Sequence, residues 1–157
     1  MRRKNREIES MQEKLALLAK CRVCRLAVAD ADQPYVVPLN YGYEYAEGVL
    51  TLYFHGAAEG MKIDILKKNP RACFEIDGEG ALVDGGDRAC AYSYAYESLI
   101  GFGSVTFVED PKEKARGLNI LMKHMSGRDG FAYSESDLAR VCVYKITATS
   151  FTGKRRA

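Results

Sequence analysis

The chain alternates short β-prone runs with turn residues, and its helical segments interrupt those runs at irregular intervals. This pattern constrains the fold more than any other feature of the sequence. Val23 to Asp30 and Tyr35 to Tyr45 are rich in Val, Leu and Tyr and are separated by the polar turn Asp32, Gln33 and Pro34, which predicts a hairpin. Glu47 and Gly48 turn the chain into Val49 to Phe54, where Leu50, Leu52 and Phe54 would share one face of a sheet. Arg71 to Ile76, the long stretch Cys90 to Val108 and Val141 to Phe151 complete six or so strands, with Gly101 and Gly103 marking a bulge or close contact. Gly78 to Gly86 reads as a connecting loop.

Three helices fit between them. Ser10 and Glu13 have capping-box spacing ahead of Met11 to Lys20, Lys62 to Lys68 stops at Asn69 and Pro70, and Asp110 and Pro111 open a helix running to about His124. This is not the regular βα alternation of a doubly wound fold, and no internal repeat is visible. The expectation is a mainly β fold with added helices: a small, mostly antiparallel split β-barrel, because closure removes exposed strand edges. The 157 residues have the size of a single domain, 1–157.

The net charge of +2 is spread out, with basic clusters only at Arg2, Arg3, Lys4 and Arg6 and at Lys154, Arg155 and Arg156. A nucleic-acid reader would carry a basic stripe with interleaved aromatics, so no nucleic-acid partner is expected. The charged start and the lack of a long apolar run predict neither a signal peptide nor a membrane span. Five cysteines, an odd count, suit free thiols in the cytoplasm. Cys21 and Cys24 have redox or zinc spacing, but no second pair follows, so no metal site is expected.

The strongest local signal is Leu52 to Lys62: a strand, then His55, Gly56, Ala57, Ala58, Glu59 and Gly60, then the start of a helix at Met61 and Lys62. Free amides at a helix start, small residues and one lysine make a phosphate site, with Lys62 as the point charge. The same residues also fit a plain strand-to-helix turn with a solvated lysine. His55 fits either a structural hydrogen-bonding role or a general acid. Val36 to Tyr41 contains Pro38, which marks an edge strand or a ligand-facing one. Tyr92, Tyr94 and Tyr96 at period two suit an interface, a stacking wall or ordinary barrel packing.

Cys24-Arg25-Leu26-Ala27, Pro34 to Gly42, Leu52 to Ala57, Gly60-Met61-Lys62, Ile100 to Gly103 and Thr152-Gly153-Lys154, in that order, resemble the pyridoxamine 5′-phosphate oxidase-like FMN-binding split-barrel family, in the branch related to nitroimidazole-resistance proteins. The resemblance spans nearly the whole chain. It implies a homodimer holding FMN at the subunit interface, with the flavin ring along Val37, Pro38, Leu39, Asn40 and Tyr41. The phosphate end would lie at Phe54, His55, Gly56, Ala57, Gly60, Met61 and Lys62, and the partner subunit would contribute around Ser98 and Ile100. It also makes His55 the candidate catalytic proton donor. The implied activity is an FMN-dependent oxidoreductase of nitroreductase type acting on a small acceptor. The alternative is a non-catalytic flavin or haem binder. The tail Phe151 to Ala157 lacks the basic substrate-phosphate motif of authentic pyridoxamine phosphate oxidases, which argues against that reaction.

Overall fold

The computed structural model describes residues 3–156; Met1, Arg2 and Ala157 lie outside the described residues. The strands are β1 (Glu7–Ile8), β2 (Val23–Asp30), β3 (Gln33–Asn40), β4 (Gly42–Ala46), β5 (Val49–Gly56), β6 (Arg71–Asp77), β7 (Ala81–Val83), β8 (Ser93–Val108) and β9 (Cys142–Arg156). The helices are α1 (Met11–Lys20), α2 (Met61–Lys68), α3 (Pro111–Ser126) and α4 (Glu135–Arg140). Every pairing is antiparallel, and the main path runs β3-β2-β6-β8-β9-β5-β4, with β1 added to β9 and β7 to β8.

That path overturns the barrel. β3 and β4 are its two ends and do not pair with each other, so the sheet is open. The reason lies in the covalent chain. Tyr35 to Tyr45 reads as one strand, yet it breaks at Tyr41, and its halves bond to opposite ends of the sheet: Asn40 pairs with Val23, and Gly42 with Tyr53. Two segments joined end to end by one residue cannot also lie side by side, so the ladder cannot close there. Tyr41 itself is fully buried and donates its hydroxyl to the Leu18 carbonyl at 2.8 Å, with the Cys21 carbonyl at 3.3 Å.

Several expectations hold, some with shifted ends. The β2–β3 hairpin forms, and Ser10 caps α1 by accepting from the Glu13 amide. Asp110 caps α3, with Pro111 in its first turn, and Gly127 ends it in the left-handed region at φ 75°. The register shift in the β8–β9 ladder falls between Phe102 and Gly103, where a Cβ on Gly103 would sit 2.2 Å from the Thr147 carbonyl oxygen. His55 and Gly56 continue β5 because they pair with Val143 and Cys142; tertiary pairing overrides the weak strand preference of glycine. β7 lies within the stretch read as a loop, and α4 is capped by a Ser134–Asp137 box.

One face of the curled sheet packs Leu26, Leu52, Phe54, Phe74, Ile76, Leu99, Tyr144 and Ile146 into the core. Leu18 of α1 and Ile63 and Leu66 of α2 close it, each burial contributing about 1.5–3 kcal/mol. Helix α3 lies directly on β4, where a Cβ on Gly42 would come 2.5 Å from the Leu121 backbone. Backbone atoms in a helix cannot swing aside, so we expect Gly42→Ala to destabilise the protein by about 1–3 kcal/mol. An unchanged midpoint in urea denaturation would show that the α3–β4 contact is not tight.

Candidate functional site

The loop after β5 has the local geometry of an anion cradle. Gly60 adopts φ 122°, a conformation that side-chain-bearing residues rarely take, and it serves as N-cap of α2 without any side-chain cap bond. Its carbonyl accepts from the Ile63 and Asp64 amides, at 2.9 and 3.1 Å. The first-turn amides of Met61 and Lys62 have no acceptor within the helix, and the positive end of the helix dipole adds to them. The Lys62 side chain folds back over the loop, so that its Nζ lies 3.6 Å from where a Cβ on Gly56 would be. Among the described residues Lys62 has no ion-pair partner. His55, Ala57, Gly60 and Met61 are exposed, Gly56 and Lys62 half-buried. Phe54 differs: it is buried and stacks on Tyr144 at 5.5 Å, anchoring the strand that carries the loop.

The other predicted segment, Val37 to Tyr41, runs along β3 to the seam at Tyr41 where the chain passes to β4, and no strand pairing joins β3 to β5 among the described residues. Gly42 is the last residue to pair along β5, with Tyr53; beyond it His55 pairs with Val143 of β9, whereas Asn40 pairs with Val23 of β2. Along β3, Pro38 and Asn40 are exposed while Val37 and Leu39 pack half-buried on the core. As an end strand of the path, β3 also leaves alternate backbone groups unpaired on its outer side. Asn40 donates to the Arg22 carbonyl at 2.9 Å. Tyr41 can offer only backbone, because its side chain is buried and its hydroxyl is used.

Ser98 and Ile100 are not brought to this loop within one chain. They sit on the outer face of β8; Ile100 pairs with Glu75, which pairs with Arg25, which pairs with Pro38. Three strand spacings, roughly 14 Å, separate Ile100 from Pro38. The outer face between them carries features that sequence reading missed. Arg25 bonds Glu75 at 3.0 Å and also bonds Asp77. Above this row, Ala27, Ala29, Arg71, Cys73, Phe102, Ser104 and Thr149 line a hollow of about 640 Å³. Strand alternation could have signalled that Ile100 and Phe102 point away from the core; both are about half exposed. Tyr94 is likewise exposed at 54% and Tyr92 at 45%, beside Leu82 at 68%. Cys21 and Cys24 are both buried, because Cys21 ends α1 rather than lying in the strand; its thiol donates to the Asp77 carbonyl. Burial pushes the Cys24 thiol up to about 12.

A family model described as pyridoxamine 5′-phosphate oxidase matches residues 10–155. The chain belongs to this family. A solved structure from Bacteroides thetaiotaomicron, of a protein assigned to 5-nitroimidazole antibiotic resistance, is 35% identical, with 95% of this chain and 86% of that one covered and a TM-score of 0.82. The expected relation to the nitroimidazole-resistance branch therefore holds. An FAD-binding protein from Mesorhizobium loti is 26% identical over 94% of this chain and 96% of that one, at TM-score 0.66. An FAD- and haem-binding protein from Mycobacterium smegmatis shares the fold at 17% identity, over 96% of this chain and 73% of that one, at TM-score 0.81. No curated protein matches the chain.

Within this pyridoxamine 5′-phosphate oxidase family member, the second histidine turns out to brace the seam. His124 on α3 donates from Nε2 to the Cys21 carbonyl at 2.8 Å and lies 4.7 Å from the Tyr41 ring and 5.3 Å from the Tyr43 ring. Burial holds its pKa below the usual value, outweighing the hydrogen bond that favours the charged form. The unfolded chain takes up a proton near pH 6.5, which the folded ring resists, so this contribution is present above that pH and is lost as pH falls toward the lower folded pKa. Urea midpoints of wild type should therefore drop more between pH 7.5 and 5.5 than those of His124→Gln. Parallel pH profiles would remove His124 as the cause.

Proposed function

We propose that the protein binds FMN and works as an FMN-dependent oxidoreductase that delivers electrons to a small acceptor. The class of acceptor suggested by the Bacteroides relative is a nitro-aromatic compound. The observation that carries the reading is the Lys62 ammonium folded over Gly56 at the uncapped start of α2. An ammonium, two free first-turn amides and a loop of small residues suit a terminal phosphate monoester dianion. The FAD-binding relative from Mesorhizobium loti supports a flavin as the cofactor class. Five unbridged cysteines support a reducing, cytoplasmic setting. Among the described residues, no helix is long and apolar enough to cross a membrane.

In this reading FMN supplies the redox chemistry once bound, and the protein supplies position and electrostatics. Lys62 and the amides of Met61 and Lys62 hold the phosphate. Gly56, Ala57 and Gly60 keep the loop low enough for that approach. Pro38, Leu39 and Asn40 border the ring through backbone, while buried Tyr41 and Phe54 and half-buried Val37 fix the strands that present them. His55, exposed near the end of β5, would donate a proton to the acceptor. Ser98 and Ile100 would come from a second copy, making the working unit a homodimer with cofactor at its interface.

Lys62→Ala should weaken FMN binding roughly 10- to 100-fold, the equivalent of losing about 1.5–3 kcal/mol from a charge-assisted contact, while leaving thermal unfolding unchanged. Unaltered affinity in a fluorescence titration would place the phosphate elsewhere. His55→Ala should slow re-oxidation of reduced flavin by a nitro-aromatic acceptor on the order of 10²-fold, with only a small change in affinity. Equal stopped-flow rates would leave His55 a structural residue. Yellow protein inert to every donor and acceptor would favour a non-catalytic flavin binder.

A further inference from the structure

A hollow of about 620 Å³ lies between α1, β4 and α3, and its lining includes none of the residues assigned above to the flavin or to a second copy. Leu15 and Ala19 of α1 and Ile120 of α3 give it apolar walls, and Tyr43 and Tyr45, alternate residues of β4, stand on the same side of their strand. His124 completes it, edge-on to the Tyr43 ring with the planes 82° apart and the centroids at 5.3 Å. The charged rim is already neutralised. Glu44 bonds Arg116, and Lys123 pairs with Asp129 at 3.0 Å. Arg22 donates to the Ala19 carbonyl at 2.7 Å and to the Cys21 carbonyl at 3.3 Å, capping the carbonyl end of α1. What stays open is neutral. A carbonyl can only accept, so the Cys21 carbonyl fixes the His124 proton on Nε2. Burial keeps the ring uncharged near neutral pH, which leaves Nδ1 as a bare acceptor with no partner among the described residues.

We propose that this hollow binds a small, neutral, planar aromatic molecule carrying one hydrogen-bond donor, which His124 Nδ1 accepts. The inference stands apart from the flavin reading. The volume lies inside the roughly 300–1,000 Å³ range of whole small-molecule sites, whose usual make-up is apolar and aromatic walls with a few placed polar atoms. Aromatic rings pair edge-to-face or offset at centroid separations of about 4.5–7 Å, and an edge-on pair such as Tyr43 and His124 leaves ring faces open to a third ring. The imidazole is held ready for this contact, between the Cys21 carbonyl and the Tyr41 ring, whose centroid is 4.7 Å away. An anion would find no free cation, because Arg22 and Lys123 are both engaged. A cation would have to displace Arg116 from Glu44.

Indole is the probe, being neutral and bicyclic with a single N–H donor. Equilibrium dialysis of the purified protein, with its own cofactor content, should show saturable binding below millimolar indole, weakened about tenfold for 1-methylindole, which keeps the rings and loses the donor. Ala19→Phe, at an exposed position in the last turn of α1, fills the hollow and should weaken indole binding by about tenfold or more, while thermal unfolding and any bound flavin stay as in the wild type. No saturable binding up to millimolar indole, equal affinity for 1-methylindole, or unchanged binding in Ala19→Phe would each overturn the proposal. Tighter binding of indole-3-acetate than of indole would reveal a free cation in the hollow and overturn it too. The 1-methylindole comparison uses the wild-type chain, so it decides the question even where Ala19→Phe fails to fold. Flavin-free protein that binds indole in this pattern would keep the hollow and sink the flavin reading; flavin-loaded protein without the pattern would do the reverse.

Discussion

The hydrogen bond from the buried Tyr41 hydroxyl to the Leu18 carbonyl ties the two ends of an open sheet to the last turn of α1. The Cys21 carbonyl takes a second contact from Tyr41 and one from His124, so strand, first helix and third helix converge on one residue. A buried phenol left without such partners would lose on the order of 1–3 kcal/mol. The cluster therefore does more than fill space: it fixes where the chain crosses from β3 to β4.

β5 is pinned on its inner side by Phe54 against Tyr144 and on its flank by β9, so the loop leaving it starts from a rigid point. Gly60 then sets the approach of α2, whose first amides and Lys62 face an opening that its own sequence does not cap. The rest of the outer face is unlike an ordinary solvated surface. Val36 on β3 and Ile100 and Phe102 on β8 are 44–56% exposed, with the Arg25–Glu75–Asp77 ion cluster on the strands between. Such a face is what a second copy would cover if the site is shared between subunits.

Local chemistry made much of this legible in the sequence. Ser10 with Glu13, Asp110 with Pro111, and the alternation Leu50, Leu52, Phe54 each act within a few residues, and the helices and strand they announce are present. The phosphate-like loop was also visible, because glycine, small residues and lysine at a strand–helix junction are contiguous. What stayed hidden depends on distant partners. Nothing near Tyr41 announces that one β-prone run will be divided between opposite ends of a sheet, and a barrel looked closed for that reason. The roles of His124 and of Arg25 arise from contacts about a hundred and about fifty residues away. The joining of the basic ends likewise needed the β1–β9 pairing, formed by a strand of two residues.

Native mass spectrometry of the protein as purified, supplemented with FMN, addresses the central claim most directly. A dimer carrying two FMN molecules is expected, with the flavin released intact on denaturation. A protein that stays flavin-free under these conditions, whatever its oligomeric state, would contradict it.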